Sequence, residues 1–514
     1  MKRYTTTFML KAVAACAIAL PLLLSSCSKN DDNNNNNEGN EIIAPNVNVT
    51  ALLQSNRITS FNAQTSSALT QILNISGLQN GENILAIDYR PATGELYGVS
   101  SGSRVYIINP ATGAARAIST TPFTPAIDGT NVGIDFNPTV DLLRLVSNNG
   151  QNLRISPTTG AVVGTDAAIN GATGAKISSV AYTENYAGAT TTTLLDIDPI
   201  TKKLYKQDLP NNGTLVAIGD LGVNATAVSD FDIAPDSKSA LATMTVAGVQ
   251  SLYGIDLANG RAYKAYTLNA NVLGLAIFTN PVAYAVGANN ELVFFNPGST
   301  ATPLTKPITG LQANEQIVGI DFRPLNGQLY GLGSTSRLYA INTGTGAATQ
   351  VGTNTFSTAL SGTSFGFDFN PVADLIRVVS NTGQNLRVNP NDGTIAGVDT
   401  PLPAATQFVN AAAYTNNFAG ATTTVLYTIN SQTGRLYKQD PNPNTGVMTD
   451  IGSLGITITE ANGFDISAAN NVAYGVFTVG NVTRLYSVNL TTGAATAGVT
   501  IPQTVRGFAL GLGF

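Results

Sequence analysis

From about Val47 onward the chain alternates apolar and polar residues over short runs, each closed by Gly, Pro, Asn or Asp. Ser336-Arg337-Leu338-Tyr339-Ala340-Ile341-Asn342 is one such run, and its period of two is that of a half-buried strand. No apolar period of 3.6 residues persists over three turns in this part of the chain, so the pattern predicts strands and turns throughout. The runs also recur. Residues 133–154 read GIDFNPTVDLLRLVSNNGQNLR, and residues 366–387, 233 positions later, read GFDFNPVADLIRVVSNTGQNLR.

That duplication covers nearly all of the patterned region. Ile87-Asp88-Tyr89-Arg90-Pro91 answers Ile320-Asp321-Phe322-Arg323-Pro324, and Phe231-Asp232-Ile233 answers Phe464-Asp465-Ile466. Within each half a shorter template repeats about every 47 residues, enough for four short strands and their turns. It begins near Ile84, Val132, Ser179, Val228 and Leu273, and again near Ile317, Phe365, Ala411, Gly463 and Val505. The fold expected is all-β and β-propeller-like: ten four-stranded blade units in two five-blade repeats, 47–278 and 279–514.

The ends refine this. Arg506 to Leu512 matches the opening strand from Leu273 to Phe278, while the piece from Thr50 to about Ile75 matches the rest of that blade. Pairing of the two chain ends is therefore expected to close a ring and remove its exposed edges. The short Thr279-Asn280-Pro281 connection favours one ten-bladed ring; the full set of parts in each half favours two five-bladed rings.

Ahead of the repeats, residues 1–26 combine Lys2, Arg3 and Lys11 with an apolar run from Ala12 to Leu24 and end before Cys27. This resembles a lipoprotein signal peptide, with Cys27 as the lipidated residue and a membrane anchor. The apolar run is shorter than the ~20 residues a spanning helix needs. Cys16 would leave with the leader, so no disulfide is expected in the mature chain. Residues 27–46 read as a disordered polar tether. Ser28 stands where an inner-membrane retention signal would have Asp, and the acidic pair Asp31-Asp32 resembles the surface-export signals of Bacteroidota lipoproteins. The expected location is the outer membrane, with the cell surface as one face it could reach.

Charge and composition then exclude several chemistries. The net charge of −5 becomes about −8 without the three cations of the leader, and no basic cluster exists to meet a phosphate backbone, so nucleic acid is not an expected partner. The chain has no His and no Trp, hence no imidazole base, no Ser-His-Asp arrangement and no His-containing metal site.

Two sets of polar residues remain. Asp88, Asp135, Asp232, Asp321, Asp368 and Asp465 each adjoin an aromatic; their repetition suits a structural role, accepting backbone N–H bonds in the turn between a blade's first two strands. Around a central channel they could instead bind Ca²⁺; otherwise no cofactor is expected. The second set is Arg144, Asn148, Gln151, Asn152 and Arg154, with Arg377, Asn381, Gln384, Asn385 and Arg387 in the other half. Tight turns centred on Asn149-Gly150 and Thr382-Gly383 would place Ser147 opposite Asn152 and the two arginines on opposite faces. The set is either a ligand-binding loop or an Arg-Asp clamp between blades, the clamp being preferred. Lys206-Gln207-Asp208 and Lys438-Gln439-Asp440 read as solvated ion pairs.

GIDFRPLNGQLYGLGSTSRLYAINTGTGAATQVG from Gly319 and GFDFNPVADLIRVVSNTGQNLRVNP from Gly366 are similar to the bacterial domain-of-unknown-function family 4394, each half resembling one copy. The resemblance implies a propeller-like fold and no established activity. The whole reads as a lipoprotein with a binding propeller for a glycan, peptide or protein ligand; the rival is a carboxylate-dependent glycan hydrolase or lyase. Catalysis would favour acids present in one half only, such as Glu95 (Gln328 in the other), Glu184 (Asn416) and Glu291 (Arg57), and these fall on different blades.

Overall fold

Alternation of Val, Ile, Leu and aromatic residues with small or polar ones builds forty strands among the described residues, numbered β1 to β40 in chain order. The structure is a computed structural model describing residues 42–65, 68–403 and 408–514. The strands pair antiparallel into ten open four-stranded sheets. No α-helix occurs among the described residues, only single 3-10 turns at Pro210–Asn212 and Pro443–Thr445.

Five inner strands stand side by side around one axis: β4 (Ile84–Tyr89), β8 (Val132–Asn137), β12 (Val180–Tyr182), β16 (Ala225–Ile233) and β20 (Val272–Ile277), with β20 again beside β4. The apolar layers follow the same cycle. Tyr97 meets Phe136 and Leu145; Val146 meets Val180 and Tyr182; Ile197 meets Phe231; Leu241 meets Leu275; Ala276 and Leu52 meet Ile87 and Tyr89. Five sheets thus share five layers, which makes the first half a complete ring. A second ring is built the same way on β24 (Ile317–Arg323), β28 (Phe365–Asn370), β32 (Val409–Tyr414), β36 (Glu460–Ile466) and β40 (Val505–Leu510).

The closing strands overturn the expected union of the chain ends. β20 pairs with β1 (Asn48–Leu53), Ile277 opposite Val49, whereas β40 pairs with β21 (Ala283–Gly287), Leu510 opposite Ala283. Each ring is therefore closed by the last strand of its own half. Residues 279–281 pass from one ring to the other and are not a hairpin within a blade. Because the two closing strands are near-copies, and so are their acceptors, sequence matching alone admits either exchange.

The rings dock through turns that follow their inner strands. Arg90 is 2% exposed, holds Asp141 bidentately and donates from Nη1 to the Gly327 carbonyl at 2.8 Å; Thr343 donates to the same Asp141 at 2.8 Å. The Tyr284 hydroxyl donates to the Ala92 carbonyl and the Gly513 amide to the Thr93 carbonyl, each at 2.7 Å. The counterpart pair in the second ring, Arg323 with Asp374, leaves Asp374 a third exposed. The rims where the inner strands begin face away from this contact.

Deleting residues 505–514 should leave β21 an unpaired edge and open the second ring only. Limited proteolysis is then expected to digest residues 283–504 and spare 48–277; equal resistance of both halves would contradict the closure described.

Candidate functional site

The six aspartates expected in turns lie instead on the inner strands, at residues 1% or 2% exposed. There each reaches across the seam to a neighbouring blade, where inner strands share no ladder bonds. Asp88 Oδ2 accepts from the Phe136 amide at 2.8 Å and Asp232 Oδ2 from Ile277 at 2.5 Å, while Asp135 lies beside the Tyr182 amide. In the second ring Asp321 accepts from Phe369 at 2.7 Å, Asp368 from Tyr414 at 2.9 Å and Asp465 from Leu510 at 2.7 Å. All but Asp135 and Asp368 also accept from the amide of the next residue through Oδ1. The strand's period of two explains the placement: the large apolar neighbours fill the layers between blades while the aspartates line the axis.

By the same register the two remaining seams of each ring carry alanine, Ala181 and Ala276 in the first, Ala413 and Ala509 in the second. Three carboxylates therefore converge on each axis. One oxygen from each of Asp88, Asp135 and Asp232 lies within 4.8 Å of the others, and so it is for Asp321, Asp368 and Asp465.

Two residues nearer the outer mouth the rings differ. Gly319, Gly366, Ala411, Gly463 and Gly507 line the second ring's mouth, with Phe508 packed over Gly463. The corresponding residues of the first ring are Ala86, Gly133, Ser179, Asp230 and Gly274. Asp230 is 3% exposed and accepts from Phe231 and Leu275 amides at 2.9 Å.

The polar hairpins hold blades together. Arg144, 2% exposed, donates to Asn152 and Asp166 within its sheet and to Asn211 of the next, at 2.7 to 2.8 Å; Arg377 repeats this with Asn385, Asp399 and Asn444 at 2.6 to 2.7 Å. Asn152 and Asn385 donate on to the carbonyls of Pro210 and Pro443 at 2.9 Å. Asn148 and Gln151 accept from the incoming loop at Thr130 and Asp128, as Asn381 and Gln384 do at Thr363 and Ser361.

One expectation needs correction. Arg144 stands directly opposite Arg154, and Asn152 opposite Val146, so both arginines share a face and both reach Asp166; Arg377 and Arg387 likewise share Asp399. The loop has three residues, with Gly150 at φ +86° and Gly383 at +85°, and this one-residue slip exchanges the faces.

The family model described as "Domain of unknown function (DUF4394)" matches residues 57–276 and again 291–509. The chain belongs to the DUF4394 family. Each DUF4394 match ends within the strand that closes its ring. No curated protein matches the chain. Among solved structures it is similar to "Dihydro-heme d1 dehydrogenase NirN in complex with DHE", at 11% identity and a TM-score of 0.25 over 80% of this chain and 75% of that one, a likeness too slight to carry an argument.

The two DUF4394 copies also differ in buried aspartates. Asp230 stands where the second copy has Gly463, and Asp196 where it has Thr428. Asp196 is fully buried and neither oxygen has a partner. Of the asymmetric glutamates, Glu95 is partly buried beside Arg116 and Arg90 at the ring contact, Glu184 lies near Ser237, and Glu291 near Arg506. Lys206–Asp208 and Lys438–Asp440 form partly exposed ion pairs.

Burial, and after it the neighbouring carboxylates, pushes Asp88, Asp135, Asp321 and Asp368 well above the usual carboxylate range. Burial alone lifts Asp232 and Asp465 to about 7, against the pull of their backbone donors. Asp166 and Asp399 behave oppositely: burial raises them, but hydrogen bonds from two arginines outweigh it and hold them low.

Asp232 and Asp465 bind protons more tightly in the folded chain, so the stability they lend is complete below about pH 4 and is lost as pH rises through about 7; the other four raised aspartates act in the same direction. The low pair loses its contribution only below the ordinary carboxylate range. In chelator-containing buffer the melting temperature is therefore expected to be higher at pH 5 than at pH 8; a rise over that interval in calorimetry would contradict the assignment. Arg144→Ala should cost about 3 kcal/mol by leaving Asp166 under-compensated in a buried seam. Arg154→Ala, at a side chain about a third exposed, should cost less. Equal urea midpoints for both variants would contradict this ranking.

Proposed function

We propose that this DUF4394 protein is a lipid-anchored outer-membrane protein whose paired propellers bind a glycan, peptide or protein ligand without turning it over. The observation that carries the binding reading is on the second ring. Three of its turns between first and second strands expose an apolar residue, Val372, Phe418 and Val472, where the first ring has Thr139, Tyr186 and Ser239; a fourth, at Leu325, is taken up by the ring contact, its carbonyl accepting from Arg116. Several exposed apolar side chains on one face suit an interaction surface.

Binding is favoured over glycan hydrolysis by the placement of the acids. A glycosidase needs two carboxyls flanking an open cleft, about 5 to 9.5 Å apart. The converging aspartates are sealed on the axes, and Glu95, Glu184 and Glu291 stand on different blades with different neighbours, Arg116, Ser237 and Arg506. Membrane attachment rests on the leader and Cys27, which lie outside the described residues. Among the described residues no helix is long and apolar enough to cross a membrane.

Cys27→Ala should move the protein from the membrane to the soluble fraction; unchanged membrane association would sink the anchor. On glycan and protein arrays the intact ectodomain should retain a ligand that Val372→Thr/Phe418→Ser loses at unchanged melting temperature. Turnover of a polysaccharide without stable binding would overturn the reading.

A further inference from the structure

The first ring's axis holds more negative charge than its surroundings offset. Asp88 and Asp232 each have both oxygens bonded to backbone amides, and Asp230 beside them likewise. Such donors orient a carboxylate and add no positive charge. Among the described residues no lysine or arginine pairs with Asp88, Asp135, Asp230 or Asp232; the partners of Asp88, Asp230 and Asp232 are backbone amides.

Two further oxygens are unpartnered. Asp135 is 1% exposed, its Oδ1 has no donor, and this carboxylate is one of the three that converge. Ser179, fully buried, stands two residues before Ala181 on the same side of the axis, at the place where Ala411 lines the mouth of the other ring; its Oγ has no partner either. A buried oxygen without a donor costs free energy unless a proton or a cation meets it.

We propose that the first ring binds one calcium ion on its axis, held by Asp88, Asp135 and Asp232 and supported by Asp230 and the Ser179 hydroxyl. Oxygens bound to one Ca²⁺ at about 2.4 Å lie no more than about 4.8 Å apart, the limit these three carboxylates meet. The ligands are all oxygen, the choice of a hard cation, and affinity for Ca²⁺ rises with the number of charged ligands. That count separates the rings. The second ring repeats the triad but has Gly463 and Ala411 in place of Asp230 and Ser179, and the site is assigned to the first ring alone.

The test uses the full ectodomain, stripped with chelator and titrated with CaCl₂ in a calorimeter, with calcium content measured by mass spectrometry. About one calcium per chain is expected, with a higher melting temperature in Ca²⁺ than in chelator. Asp135→Asn should weaken binding by about tenfold or more, while Asp368→Asn in the second ring leaves it unchanged. The wild-type melt decides the matter even if the first variant does not fold. Absence of bound calcium together with an unshifted melt would overturn the proposal. So would two calcium ions per chain, or loss of binding in Asp368→Asn alone.

Discussion

A buried aspartate carboxylate bonded to a backbone amide across a seam is the interaction on which both rings rest. Inner strands of adjacent blades stand beside one another without ladder bonds, so their inward amides would be orphaned at the axis. Asp88 meets Phe136, Asp135 meets Tyr182 and Asp232 meets Ile277, and the second ring repeats the scheme. The apolar layers supply most of the attraction between blades, as a fully buried residue such as Phe136 illustrates, but they are non-directional. The carboxylates fix register between blades. Five positions around an axis cannot all be aspartate without crowding charge, and the alanines at 181, 276, 413 and 509 relieve it.

The same logic recurs further out. Arg144 and Arg377 tie the second blade's sheet to the 3-10 turn of the next, and the buried Arg90–Asp141 pair is completed by groups of the other ring. A buried pair contributes little net stability against an apolar alternative, but losing one partner is costly. The ring contact is therefore better regarded as specified by these groups than as driven by them.

The repeat, the blade length and the all-strand pattern were legible because duplication and alternation are properties of the sequence itself. What was not legible depended on three-dimensional choices between near-identical partners. Leu273 to Ile277 and Arg506 to Leu510 are alike enough that either could close either ring; the structure pairs each within its own half. In sequence the aspartates read as turn residues because each precedes a turn, yet the strand continues through them. A loop of three residues where two were expected put Arg144 and Arg154 on one face. Asp230 and Asp196 were missed although the signal was present: each faces a small or neutral residue in the other copy.

The most direct measurement is native-state hydrogen exchange at the amides bonded to the axial carboxylates: Phe136, Tyr182 and Ile277 in the first ring, Phe369, Tyr414 and Leu510 in the second. If aspartate bridges secure the seams, these amides exchange among the slowest in the chain, opening only with a whole ring. Exchange at the rate of the rim turns would show that the seams are held without them.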